Sequence, residues 1–149
     1  MPALSTVARA CVGAAALACA ATSAANTFTI SPNTNSGNPG TYKWYVSVDA
    51  GTATNNPTLT VLTGQTYELH VSGVASHPFW IDTTAGIGGT NPFPKGAQLS
   101  DNGVTSNTTI TMTLAADAPN TLYYACGFHS SMNGMISVVH DLILRDGFE

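Results

Sequence analysis

Charge is scarce in this chain of 149 residues: 8% of its residues are charged, with four Lys and Arg against eight Asp and Glu. So few basic residues exclude the positive surface that nucleic-acid-binding domains need. No run of Lys or Arg is present to hold an anionic membrane. No stretch of roughly 18 apolar residues occurs, so the sequence contains no clear transmembrane helix. The low charge also excludes the highly charged composition that is typical of disordered chains.

The segment 1–25 has the pattern of a secretory signal peptide. Arg9 provides a positive start, and Ala10–Ala21 form an apolar stretch that is too short to span a bilayer. The small residues at 22–25 suit a cleavage site after Ala24 or Ala25. We therefore expect export to the bacterial periplasm or the medium.

A lipoprotein signal ending at Cys19 is the alternative, but Ala16 stands where a large aliphatic residue is usual. The predicted organisation is a signal peptide at 1–25, one domain at 26–140 and a short tail at 141–149. We assign no role to the tail.

Cysteine is also rare, with three in the whole chain. Removal of the segment 1–25 takes Cys11 and Cys19 with it and leaves Cys126 alone. Exported proteins usually pair their thiols. A single cysteine is therefore a buried core residue, a link to another chain, or a ligand. The residues around Cys126 in the sequence indicate which of these three roles applies.

Short strand-like runs recur between Gly, Asn and Pro turns. In the run Thr66–Val71, the apolar Tyr67, Leu69 and Val71 alternate with polar residues, as in a half-buried strand. The eight predicted strands are Thr27–Ile30, Tyr42–Val48, Thr58–Leu62, Thr66–Val71, Phe79–Asp82, Thr108–Leu114, Thr121–Ala125 and Met135–His140. The alternation favours antiparallel strands in an all-β sandwich of seven to eight strands. The long connection 83–106 has a length that is typical of functional or mobile loops.

A motif that carries chemistry follows the seventh predicted strand: Cys126, His129 and Met132 stand at the spacing C-x2-H-x2-M. Thiolate, imidazole and thioether together form a soft donor set that suits copper. A blue-copper site also needs a second imidazole, and His77, at the start of another strand, is the best candidate. Met135 is an alternative to Met132 as the weak axial ligand. The four side chains converge if the turn before His77 and the loop after Cys126 lie at the same end of the sandwich.

The pattern Tyr124-x-Cys126-x2-His129-x2-Met132-x-Gly134 resembles the ligand loop of the cupredoxins, the small blue copper proteins. The loop is most similar to those of amicyanin and plastocyanin, and the resemblance covers roughly residues 58–139. It implies a Greek-key β-sandwich that holds one type 1 copper ion.

The resemblance also implies a role for each matching residue. His77, Cys126 and His129 would be the equatorial ligands, and Met132 the axial one. Pro78 departs from the pattern, because plastocyanin has an asparagine there whose backbone N–H donates to the cysteine sulfur. Proline has no N–H, so we expect Phe128 or another amide to supply that hydrogen bond.

The function that the resemblance implies is an exported one-electron carrier that acts as a monomer with a redox partner protein. The alternative is a cupredoxin-like binding or structural module of the cell surface, with copper incidental or absent. An enzyme with an open copper position is disfavoured by Met132 and by the lack of a paired general acid and base near the loop.

Overall fold

The computed structural model describes residues 26–140, so the predicted signal peptide and the predicted tail lie outside the described residues. Nine strands and one 3-10 turn, at Pro39–Thr41, make up the described fold. The strands are β1 (Asn26–Asn33), β2 (Lys43–Val48), β3 (Thr54–Asn55), β4 (Leu59–Leu62), β5 (Thr66–Val71), β6 (Phe79–Asp82), β7 (Thr108–Thr113), β8 (Thr121–Cys126) and β9 (Asn133–Val139). The all-β prediction is confirmed, and the additional strand is the short β3. Within residues 26–140, no helix is long and apolar enough to cross a membrane.

The strands form two sheets, one in the order β3-β2-β1-β5-β7 and the other in the order β4-β9-β8-β6. Most neighbours are antiparallel, but β1 pairs with β5 and β4 pairs with β9 in parallel. The expectation of antiparallel strands was wrong for these two pairs. Alternation of polar and apolar residues reports which face of a strand is buried, and it is the same for either strand direction.

The core lies between the inner faces of the two sheets. Strand β5 shows the principle, since Tyr67, Leu69 and Val71 are buried while His70 faces outward. Trp44 of β2 is fully buried and meets Phe79 of β6 edge-on, with ring centroids 5.2 Å apart. The indole N–H of Trp44 has no hydrogen-bond partner among the described residues. Burial of these rings and of the aliphatic side chains around them drives the packing of the two layers.

The connection 83–106 is bonded to β6, at the edge of one sheet, and to β7, at the edge of the other. The Asn102 side chain accepts a hydrogen bond from the Ile81 N–H (2.7 Å) and donates to the carbonyls of Ile81 and Phe93 (2.8 Å each). Leu99 forms a bridge with Met112 of β7. The connection therefore pairs with the free edges of β6 and β7, which would otherwise expose unpaired backbone groups.

Candidate metal centre

Two connections meet at one end of the sandwich and carry the candidate ligands. The turn from β5 to β6 closes when the His77 N–H donates to the Val74 carbonyl, at 3.0 Å. In the β6–β8 pairing, Phe79 stands opposite Cys126, which places His77 beside the connection between β8 and β9. We call residues 126–132 the ligand loop. The structure thus brings His77 together with Cys126 and His129 of this loop.

The donor atoms of these three residues form a compact triangle. The two Nδ1 atoms of His77 and His129 are 3.2 Å apart. The Cys126 Sγ lies 3.5 Å from His129 Nδ1 and 3.9 Å from His77 Nδ1. A point equidistant from the three atoms lies about 2.1 Å from each of them, close to the length of metal–nitrogen and metal–thiolate bonds. The donors therefore fit a single transition-metal ion.

The surroundings of His77 favour its neutral form. Burial lowers the pKa of His77, and the neighbouring His129 lowers it further, so His77 resists protonation. Burial raises the pKa of the Cys126 thiol, while the backbone N–H groups of Phe128 and His129 act in the opposite direction. A cation held between these groups would favour the thiolate, because metal binding displaces the proton of a coordinating thiol.

Phe128 supplies the hydrogen bond that Pro78 cannot. Its backbone N–H donates to the Cys126 Sγ at 3.4 Å. Pro78 contributes in another way, since its carbonyl accepts from the Gly127 N–H at 2.8 Å and so holds the ligand loop against the segment that leads into β6. Donors to a ligating sulfur tune its electronic properties.

The two candidate axial methionines lie in different environments. Met132 is fully buried, and its backbone closes the ligand loop: its carbonyl accepts from the Cys126 N–H (2.9 Å) and its N–H donates to the His129 carbonyl (3.0 Å). Met135 is 40% exposed on β9. The buried position favours Met132 over Met135, and its role as a ligand stays a prediction.

Tyr42 belongs to the site although the sequence did not indicate it. Its ring centroid lies 5.3 Å from that of His129 and 5.8 Å from that of His77, and the two imidazoles are 4.9 Å apart. Tyr42 precedes β2 and reaches the site only because the sheets bring that strand end beside the ligand loop. An aromatic residue at the start of a predicted strand carries no local signal of such a contact.

The chain is similar to several solved protein structures. No protein-family model and no curated protein matches this chain. A purple cupredoxin from Nitrosopumilus maritimus is 12% identical, with 76% of this chain and 98% of that chain covered and a TM-score of 0.44. A rusticyanin variant is 21% identical over 78% of this chain and 80% of its own, with a TM-score of 0.48. An amicyanin variant in its Cu(I) form is 22% identical over 56% and 70% of the two chains, with a TM-score of 0.36.

At these identities and TM-scores, similarity assigns neither a family nor an activity to this chain. What the comparisons do establish is that this all-β chain is similar to solved cupredoxin structures.

Proposed function

We propose that the protein binds one copper ion as a type 1 centre and acts as a one-electron carrier. The observation that carries this proposal is the triangle of two imidazole nitrogens and one cysteine sulfur at one end of the sandwich. Two histidines and one cysteine in a trigonal set, with a weak axial methionine, are the donors of blue-copper electron-transfer sites. Copper bound there would change between Cu(I) and Cu(II) and so carry one electron.

The proposed ligands are His77, Cys126 and His129, with Met132 as the axial group. The protein supplies the centre with a fixed donor geometry. Cys126 is fully buried, its amide is bonded within the ligand loop, and Gly127 is bonded to Pro78, the residue before β6. Donors that keep their places in both oxidation states reduce the rearrangement that accompanies electron transfer, which suits a carrier better than an enzyme.

The optical spectrum of the copper-loaded protein tests the proposal. The Cu(II) protein should show an intense thiolate-to-copper charge-transfer band in the visible region. Cys126→Ser should abolish the band, whereas Ser130→Ala, an exposed change in the same loop, should keep it. A colourless wild-type protein after Cu(II) loading would contradict the proposal and favour the binding or structural module.

The electron should leave through the exposed part of the ligand loop. Phe128 is 67% exposed, and His129 beside it retains partial exposure. The loop residues Phe128, Ser130 and Ser131 carry no charge of their own, and this part of the loop would meet a redox partner protein, with the carrier itself a monomer.

We also propose that the protein is exported and that cleavage after Ala24 or Ala25 leaves the domain at 26–140 with its short tail. Strand β1 begins at Asn26, so cleavage at either position would leave this strand essentially whole. N-terminal sequencing of the protein recovered from the periplasm tests this, and a first residue inside β1 would contradict it.

A further inference from the structure

We propose that Asn56 is a positioning residue that fixes the ligand loop against the first sheet and thereby sets how firmly the site holds its metal. The proposal rests on the proposed function, because it concerns the same site. Asn56 stands outside the strands, between β3 and β4, and lies far from Cys126 in the sequence. Its side chain forms hydrogen bonds both to Trp44 of β2 and to Ser131 of the ligand loop.

Asn56 is held by the backbone of one buried residue. Its N–H donates to the Trp44 carbonyl at 2.8 Å, and its Oδ1 accepts from the Trp44 N–H at 2.7 Å. The backbone of Asn56 has a φ of 44°, in the left-handed region. Asparagine tolerates this region better than most residues with a side chain. Both the backbone and the side-chain oxygen are thus committed to β2, and the orientation of the amide group is fixed.

The remaining polar atom of the side chain points at the ligand loop. Asn56 Nδ2 donates to the Ser131 carbonyl at 2.8 Å. The same carbonyl accepts from Lys43 Nζ at 3.3 Å. Ser131 directly precedes Met132, whose backbone is bonded to both Cys126 and His129. A hydrogen bond to Ser131 therefore acts on the segment that connects the loop's proposed ligands.

Pro57, the next residue, contacts the strand that leads into the ligand loop. The Tyr124 hydroxyl donates to the Pro57 carbonyl, and Tyr124 lies on β8 shortly before Cys126. Residues 56 and 57 therefore contact both the strand that enters the ligand loop and the segment that leaves it. On the opposite side, Gly127 is bonded to Pro78 beside His77.

The consequence concerns the distance between His77 and the ligand loop. His77 and Pro78 directly precede β6, and Cys126 ends β8, which is paired with β6. His129 and Met132 lie on the loop beyond that pairing, so the triangle keeps its size only while the loop keeps its place. When the Asn56–Ser131 hydrogen bond is lost, the loop has one fewer restraint on its outer side. The metal-free loop should then open more often, and the loaded site should release its metal faster.

Asn56→Asp gives a sharp test, because aspartate keeps the Oδ1 acceptor for Trp44 and loses the donor to Ser131. Asn55→Asp is the matched control: it makes the same charge change at the neighbouring position, and it keeps the Oδ1 that accepts a hydrogen bond from Asn33. Asn56→Gly is a second variant that keeps the left-handed backbone without strain and removes both side-chain bonds.

The first measurement is amide hydrogen exchange of the metal-free protein. Both Asn56 variants should speed exchange of the Cys126 and Met132 amides by about threefold to tenfold, the change that one net hydrogen bond supports. Exchange at Ile110 of β7 and throughout Asn55→Asp should stay as in wild type. Unchanged loop exchange in both Asn56 variants would overturn the proposal, and so would equal acceleration at Ile110, since that pattern reports general loss of stability.

The second measurement is the rate at which a chelator removes copper from the loaded protein. Removal should be faster in Asn56→Asp than in wild type by a similar factor, and unchanged in Asn55→Asp. A wild-type rate in Asn56→Asp would overturn the effect on metal retention. A colourless copper-loaded wild type, with faster loop exchange in the Asn56 variants, would reject the proposed function and leave the role of Asn56 in the loop intact.

Discussion

A single glycine explains part of the pattern that makes the ligand loop recognisable. Gly134 stands opposite Tyr124 in the β8–β9 pairing, and a Cβ on Gly134 would overlap the ring of that tyrosine. The ring has to lie directly against Gly134, because its hydroxyl donates to the Pro57 carbonyl on the far side. The spacing from Tyr124 to Gly134 is therefore a packing requirement around the site, and the residues between them carry the chemistry.

Gly134→Ala should destabilise the fold by about 1–3 kcal/mol, the usual cost of overpacking a well-filled region. Urea unfolding of the metal-free protein measures the change. Gly40→Ala is the control, because a Cβ there meets only the Asn38 Oδ1, at an ordinary 3.4 Å. Equal stability of the two variants would show that the Tyr124 ring can move aside.

The two methionines of the loop region allow another test at the scale of single residues. Met132→Leu should shift the reduction potential and the visible spectrum of the copper protein, because the axial ligand tunes both. Met135→Leu removes the same sulfur from an exposed position on β9 and should leave both unchanged. The reverse result would make Met135 the axial ligand. Voltammetry and absorption of the two loaded variants separate these outcomes.

At the scale of elements, the connection 83–106 shows why length alone predicts little about a loop. Its Gly and Pro content and its length favoured a functional or mobile segment. In the structure its residues pair with the free edges of β6 and β7. The sequence pattern does not predict this pairing, because most of the bonds from the two strands use backbone atoms. Protection of sheet edges against association is the role that this arrangement supports.

Asn102 should be the most sensitive polar residue of this connection. Asn102→Ala removes the partner of the Ile81 N–H and of the Phe93 carbonyl, while the Ile81 carbonyl keeps its bond from the Phe93 N–H. The two unpaired groups should cost about 2–3 kcal/mol of unfolding free energy. Asn91→Ala, in the same connection, loses an exposed side-chain bond to Thr84 and should stay within about 0.5 kcal/mol of wild type. Urea unfolding compares them, and similar midpoints for the two variants would contradict a structural role for Asn102.

At the scale of the whole molecule, local patterns and long-range contacts divide what the sequence could predict. Strand positions follow from alternation, and the grouping of Cys126, His129 and Met132 follows from their close spacing. Tyr42 and Asn56 could not be found in this way, because each reaches the ligand loop from a distant part of the sequence. Their neighbours are decided by the order of strands in the sheets, including two parallel pairs that alternation does not specify.

The proposed docking surface can be tested without knowing the partner, through electron self-exchange between oxidised and reduced copies. The exposed residues at the loop tip carry no charge, so contact between two such tips should give a rate that depends weakly on salt. Phe128→Glu places like charges on both copies, so exchange should slow and become faster as salt is added. Val48→Glu is the control, since Val48 is 46% exposed at the end of β2 away from Lys43. NMR line broadening measures the rate, and equal effects of the two variants would contradict docking through the ligand loop.

The buried indole of Trp44 gives the molecule an intrinsic fluorescence reporter. The chain has two tryptophans, of which Trp80 retains partial exposure and Trp44 has none. An excited indole shifts its emission to longer wavelength when polar groups reorient around it, and the apolar layer around Trp44 contains few groups that can do so. Trp80→Phe should therefore leave a single short-wavelength emission with resolved vibrational structure, which moves to the red only when the two sheets separate in urea. A native spectrum of that variant resembling indole in water would show that solvent reaches the centre of the sandwich.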